Sequence, residues 1–274
     1  GVPLERMEHK TKPELALEML DSFISEEIPF QYIQADGLYG NDSTFISGLY
    51  DRGVSCMCDI PSDTQVDSTK PELVIPERQG KRGRYPTKLK VRNTSPVEVR
   101  WLAEIQKTWD SVDICLTNRG IKTVQCADLI VWRRQNGLPV DLPIRMIMIR
   151  DPDEEMIRFA FTNFLHEDLA DIVKNQAKRY WIERNFEDAK GLCDLGSFRG
   201  RNWMAWHHHI ALSAIAMLFI LKIQQYFFKK SIFVSLNLAV SIIRHKNPLR
   251  KLSTEELADS IHYVNKMRTR SWIG

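Results

Sequence analysis

The segment Arg179-Tyr-Trp-Ile-Glu183-Arg-Asn-Phe-Glu-Asp-Ala-Lys190 sets one acid between two bases at helical intervals. At about 100° per residue, Arg179, Glu183 and Lys190 fall in a stripe roughly 40° wide and about 16 Å long. Tyr180 flanks the stripe on one side, Ile182 and Phe186 on the other. A carboxylate held between cations and shouldered by apolar groups is only partly solvated, which is not how a purely solvating Glu is usually placed. An ordinary surface ladder of i,i+4 and i,i+7 charges uses the same residues, and helix geometry does not separate the two. Glu187, one turn on, meets the same spacing criterion. A second carboxylate, Asp36, follows the β-prone run Phe30–Ala35 and precedes Gly37-Leu-Tyr-Gly40. In α/β sheets the C-terminal strand ends are where ligands and catalytic groups collect; a plain Asp-Gly turn has the same appearance.

Other chemistry-bearing residues read more simply. Consecutive helical residues point about 100° apart, so at most one or two of His207, His208 and His209 face any one site. Trp203 and Trp206 read as packing residues, with base stacking as the alternative. Five Cys is an odd number, the only close pair is the C-x-C of Cys56 and Cys58, and the cysteines read as small buried hydrophobes in a reducing cytosol.

The elements that must position these groups follow from local signals. Thr11-Lys-Pro-Glu14 is a capping box with Pro in the first turn, and Leu15, Met19 and Phe23 continue an amphipathic helix that ends before Pro29. Asn41, Asp42 and Ser43 offer caps for a short helix closed by Gly53, and Val54–Ile60 reads as a strand. Helix, strand, helix, strand is α/β organisation. Residues 62–98 are loop-rich, and 99–109 suit a short helix. Residues 112–133 and 144–163 read as strand pairs, with Ile144–Ile149 and Met156–Thr162 forming a hairpin about Asp151-Pro152-Asp153. Helical periodicity returns from Glu167 to about Gly191. The apolar run Ile210–Leu221 lies in a helix over 205–228; at 12 residues it is short of the roughly 20 that span a bilayer, so it reads as a buried core helix and no membrane is expected. Ser253-Thr-Glu-Glu256 opens a last helix to about Arg268.

Composition is globular, 43% hydrophobic and 27% charged, which excludes overall disorder. The net charge of +3 is locally segregated: residues 78–97 carry seven Lys/Arg and no acid, residues 195–254 carry nine and no acid, and seven acids fall in 151–171. Such segregation points to a polyanion-binding face, against the plainer account in which these bases solvate a loop and helix ends.

Gln34-Ala-Asp36-Gly-Leu-Tyr-Gly40 and, far downstream, Arg179-Tyr-Trp-Ile-Glu183-x-x-Phe186-x-x-x-Lys190 together resemble the DDE-type transposases of bacterial insertion sequences. The likeness is to the group whose RNase H-like catalytic domain carries a β-strand insertion before the last acid. It extends through Phe198-Arg-Gly-Arg-Asn-Trp203 and His207–His209. The family pattern has Tyr seven residues before its Glu; here that position is Gln176.

The resemblance implies an α/β fold: an RNase H-like core whose first part is 11–61, a β-rich insertion with a basic loop over 62–164, returning core helices over 165–230, and a basic helical segment over 231–274. It implies that Asp36 and Glu183 are catalytic and metal ligands, and that Arg179 and Lys190 contact transposon-end DNA. Lys81, Arg82, Arg84 and Lys88 join them as DNA-binding residues on the charge argument. The implied cofactor is Mg²⁺, with Mn²⁺ as a substitute, and the implied partner is double-stranded DNA, with a homodimer in a synaptic complex and a cytoplasmic, nucleoid-associated location. The family's first Asp lies on the first strand of its sheet. Asp21 is the one Asp before Asp36 and falls inside a helix. The first Met is Met7, so the expectation is an N-terminally truncated transposase, inactive alone. The competing readings are a non-catalytic DNA-binding remnant and an RNase H-like nuclease.

Overall fold

Thr11 begins the first helix as its sequence dictates. Its side chain accepts from Glu14 N while Glu14 reaches back to the Thr11 amide, and α1 runs Lys12–Ser25. A computed structural model describes residues 2–78, 85–117, 120–152, 156–230, 232 and 234–246. After α1 come β1 (Ile33–Ala35), the one-turn α2 (Gly37–Gly40), α3 (Ser43–Asp51) and β2 (Cys56–Ile60). Asp36 caps α2 and Asp42 caps α3, its carboxylate accepting from Phe45 N at 2.7 Å. Among its described residues the loop-rich stretch holds short strands, β3 (Gln65–Asp67), β4 (Leu73–Val74), β5 (Lys90–Val91) and β6 (Val97–Glu98), before α4 (Val99–Ile105). Long strands follow: β7 (Asp110–Thr117), β8 (Gly120–Gln135), β9 (Leu138–Arg150) and β10 (Ile157–Thr162). Asn136 and Gly137, both at positive φ (53° and 78°), turn β8 into β9, the backbone a two-residue hairpin requires. The strands of the expected hairpin pair, with Ile157 opposite Arg150; Asp153 of its expected turn lies outside the described residues.

Eight of these strands make one mixed sheet in the order β1-β2-β10-β9-β8-β3-β6, with β7 also on β8, while β4 and β5 pair with each other in a separate ribbon. β1 and β2 are parallel and the rest of this order is antiparallel. Apart from β4 and β5, the strands of 62–164 therefore continue the sheet begun by β1 and β2. Among the described residues β1 is the terminal strand, paired with β2 alone. Side chains alternate across the sheet. Cys56, Cys58 and Ile60 pack with Leu20, Phe45, Ile46, Leu49, Val99 and Leu102 from α1, α3 and α4. Met57 faces the other way, onto Ile172 and Val173. These last two belong to α5 (Leu169–Ala177), which Asp168 caps through Ala170 N at 2.8 Å.

The helix expected from Glu167 to Gly191 is two helices. α5 ends at Ala177 and α6 runs Tyr180–Leu192. Between them the backbone bonds shorten to i→i−3: Lys178 N to Asn175 O, Arg179 N to Gln176 O, Trp181 N to Lys178 O and Ile182 N to Arg179 O. This tighter winding shifts the angular phase, so Arg179 sits in a turn and is not part of a single helical stripe with Glu183 and Lys190.

The chain forms two compact units, Pro3–Ile182 and the residues from Glu183 on. In the second, the long helix α7 (Trp203–Phe228) meets α8 (Leu236–Lys246) around Ala189, Cys193, Met217, Ile220, Val234 and Ala239. The expectation of a buried α7 is corrected: only Ser213, Met217 and Ile220 are buried, while Leu212 and Ile215 are 66% and 62% exposed. Its apolar residues run right round the helix, and among the described residues of the unit it packs along one side. The helix is also longer than the apolar run that marked it; by length and composition alone its 26 residues could cross a membrane.

Candidate functional site

β1 and β2 are in parallel register with Ala35 opposite Cys58, so the next residues on each strand, Asp36 and Asp59, stand side by side at the C-terminal end. Both strands lead there for local reasons. β1 stops because Asp36 turns to cap α2, its Oδ1 accepting from Leu38 N at 3.0 Å. α2 then lies directly on β2. A Cβ on Gly40 would fall 1.9 Å from the Asp59 carbonyl oxygen, so only glycine lets the helical turn approach this closely. The Gly37-Leu-Tyr-Gly40 sequence is thus a packing requirement next to Asp36.

Asp36 itself is exposed and keeps an oxygen beyond the one that caps α2. Asp59 is more enclosed. Gln176 Nε2 donates to its Oδ1 at 2.7 Å, and Arg179 Nη2 lies 3.1 Å from its Oδ2. Burial is the main force on this carboxyl and raises its pKa above the usual carboxylate range. Arg179, the Gln176 hydrogen bond and Arg158 pull the other way, and the neighbouring Asp36 charge adds to the rise. Gln176 Oε1 is buried and accepts no hydrogen bond, leaving a hard oxygen over in the same cluster. A further tie, Gln34 Nε2 to Asn175 O at 2.7 Å, joins β1 to the last turn of α5.

The other sequence-derived residues fall as follows. Glu183 is the first residue of the second unit and the fourth of α6; Lys190 is on the last turn of α6 and is exposed. On the same helix Arg184 pairs with Asp188 at 3.0 Å and with Glu187 at 3.4 Å, which engages the alternative ligand Glu187. Arg179, expected to face DNA, holds Asp59. Lys88 is exposed two residues before β5; Lys81, Arg82 and Arg84 lie outside the described residues. Asp21 makes a two-pronged pair with Arg52 across α1 and α3 (2.6 and 2.7 Å), a structural role. His207 Nδ1 meets Trp203 O and His209 Nε2 meets Asp194 O, each at 2.9 Å, and Trp203 packs on His207, as ordinary packing requires. Cys56, Cys58, Cys126 and Cys193 are buried and unpaired. The Cys58 thiol is pushed well up, chiefly by its hydrogen bond with Cys56 and then by burial.

Asp59 and the role of Gln176 escaped the sequence reading. The signal was present: a strand reading Cys-Met-Cys-Asp-Ile puts Asp59 on the face opposite Cys58, one register step beyond the partner of Ala35.

An exposed carboxylate with a spare oxygen is a fitting ligand for a hard divalent ion, which takes one or two carboxylates plus phosphate and water. Among the described residues no three His, Cys, Asp or Glu side chains converge into a ready-made cluster. The first 128 residues match the family described as DDE superfamily endonuclease. The matched stretch contains Asp36, Gly40 and Asp59 and stops before Gln176–Lys190. Over that stretch the match supports a DDE-type, nuclease-related family. No curated protein matches the chain.

Proposed function

We propose, with this DDE-type family as premise, that the chain belongs to an insertion-sequence transposase that binds transposon-end DNA for magnesium-dependent strand cleavage and transfer. The observation that carries the reading is Asp36 at the C-terminal end of a parallel strand, beside a second carboxylate and an arginine. Asp36 and Glu183 are the residues to hold Mg²⁺ (or Mn²⁺), which would supply Lewis-acid stabilisation to an in-line displacement at phosphorus. Asp36 is prepared for this by its cap: the Leu38 amide fixes one oxygen and so orients the other. Lys190, Lys88 and the basic stretch around Lys81, Arg82 and Arg84 hold the phosphate backbone, with a second copy completing a synaptic dimer.

Among the described residues β1 is the terminal strand, its second edge left for a further strand, and no three acids converge into a metal cluster. The family's first Asp would come from such a strand, and without it the chain does not cut DNA by itself. We read α7 as covered by protein, in keeping with His207–His209, Lys222 and Gln224–Gln225 along its length, and the five unpaired cysteines accord with a cytoplasmic location.

The test is duplex binding by fluorescence anisotropy across salt. If six phosphates are neutralised, log K falls with log[salt] at a slope of about −5; binding indifferent to salt overturns the DNA reading. In Mg²⁺ or Mn²⁺ the purified chain leaves plasmid DNA intact. Robust nicking that disappears in Asp36→Ala shows instead that the chain is catalytically complete.

A further inference from the structure

We infer that Asp59 is a positioning residue: it fixes the α5–α6 turn and the Arg179 guanidinium at the sheet end where Asp36 stands, and so presents Arg179 to a DNA phosphate. The inference rests on the DNA-binding reading above and adds to it a residue from outside both family motifs.

Three observations carry it. First, the two oxygens of Asp59 are divided between Gln176 on the last turn of α5 and Arg179 in the turn itself, so one carboxylate grips both sides of the point where the helix changes phase. Secondly, the grip has an immovable base. The Asp59 carbonyl lies under Gly40 with no room for a Cβ, and β2 is paired on both edges, to β1 and β10. Thirdly, the carboxylate is placed against its own electrostatics. Burial and the adjacent Asp36 both disfavour its charge, while Arg179, Gln176 and Arg158 support it. Exchanging such a partly buried ion pair for apolar residues is often neutral or stabilising, so stability alone does not account for an acid here. A guanidinium has five donors in a planar fork. The pair with Asp59 uses one Nη of that fork, and holding it there spends in advance the rotamer entropy of a long side chain.

The sign of one substitution separates this role from simple electrostatics. Removing a negative charge beside a DNA-binding surface should tighten binding; removing a positioning residue should weaken it. Asp59→Asn keeps an acceptor for Gln176 and loses the charge that holds Arg179. Expected are at least fivefold weaker duplex binding and a salt slope smaller in magnitude by about one. Arg179→Gln should show the same two changes, and the double variant should be no weaker than Arg179→Gln alone. Asp59→Asn binding as tightly as the wild type, or tighter, overturns the inference and leaves the DNA-binding reading standing.

Amide exchange of the DNA-free chain reads the anchoring by itself: faster exchange confined to residues 175–182 in Asp59→Asn supports it, and unchanged exchange overturns it. A wild-type chain without salt-dependent binding fails the functional reading, and the exchange result then decides the anchoring alone. If Asp59→Asn does not fold, Arg179→Lys replaces it, keeping the charge and losing the fork. Weaker binding by that variant supports the inference, and wild-type affinity overturns it.

Discussion

Single side chains at the end of the sheet are set by very short distances, and these give the sharpest expectations. Gly40→Ala puts a methyl 1.9 Å from the Asp59 carbonyl. The backbone of α2 or β2 must move, and overpacking of this kind costs about 1–3 kcal/mol or more; urea unfolding measures it directly. Asp59 itself has a raised pKa from burial. A raised acid contributes stability that is full below its unfolded pKa and is lost as pH climbs through the folded value. The difference in unfolding free energy between Asp59→Asn and the wild type should therefore shift in favour of the variant as pH rises from the unfolded carboxylate range, about 3.9, to neutrality. A pH series of urea midpoints showing no such drift would mean that Arg179 and Gln176 fully offset the burial.

At the scale of elements, the capping signals were legible and the helix break was not. Thr11 and Asp42 cap where their sequences place them, because a cap involves three or four neighbouring residues. Thr11→Ala should cost about 1 kcal/mol, seen in the thermal midpoint. Gly137→Ala should cost about 1–2 kcal/mol, since its φ of 78° is unfavourable to any residue with a Cβ. The break at Lys178-Arg179 has no Pro or Gly to announce it. It is held by contacts with Asp59, which lies more than a hundred positions upstream, so no local window contains its cause.

Over the whole molecule the basic segments matter through their sum. Neutralising Lys81, Arg82 and Arg84 together should weaken duplex binding and flatten its salt dependence by roughly one unit per lost phosphate contact, with the circular dichroism spectrum unchanged. Binding that survives this triple substitution at full salt sensitivity would move the DNA path to Lys88, Lys190 and the second basic stretch.

What the sequence determined alone is whatever depends on neighbours along the chain: the α/β alternation, the hairpin strands, the caps, the position of Asp36 at a strand end, and the segregation of charge. What only the tertiary structure decided is whatever depends on register and packing. Parallel pairing brought Asp59 beside Asp36, and a 2.7 Å hydrogen bond gave Gln176 a task at a position where the family pattern has Tyr. One-sided packing left α7 exposed where a wholly apolar run reads as core. Hydrophobicity says that a face must be covered and not by what, and the identity of a strand's neighbour is fixed by closure of the whole sheet.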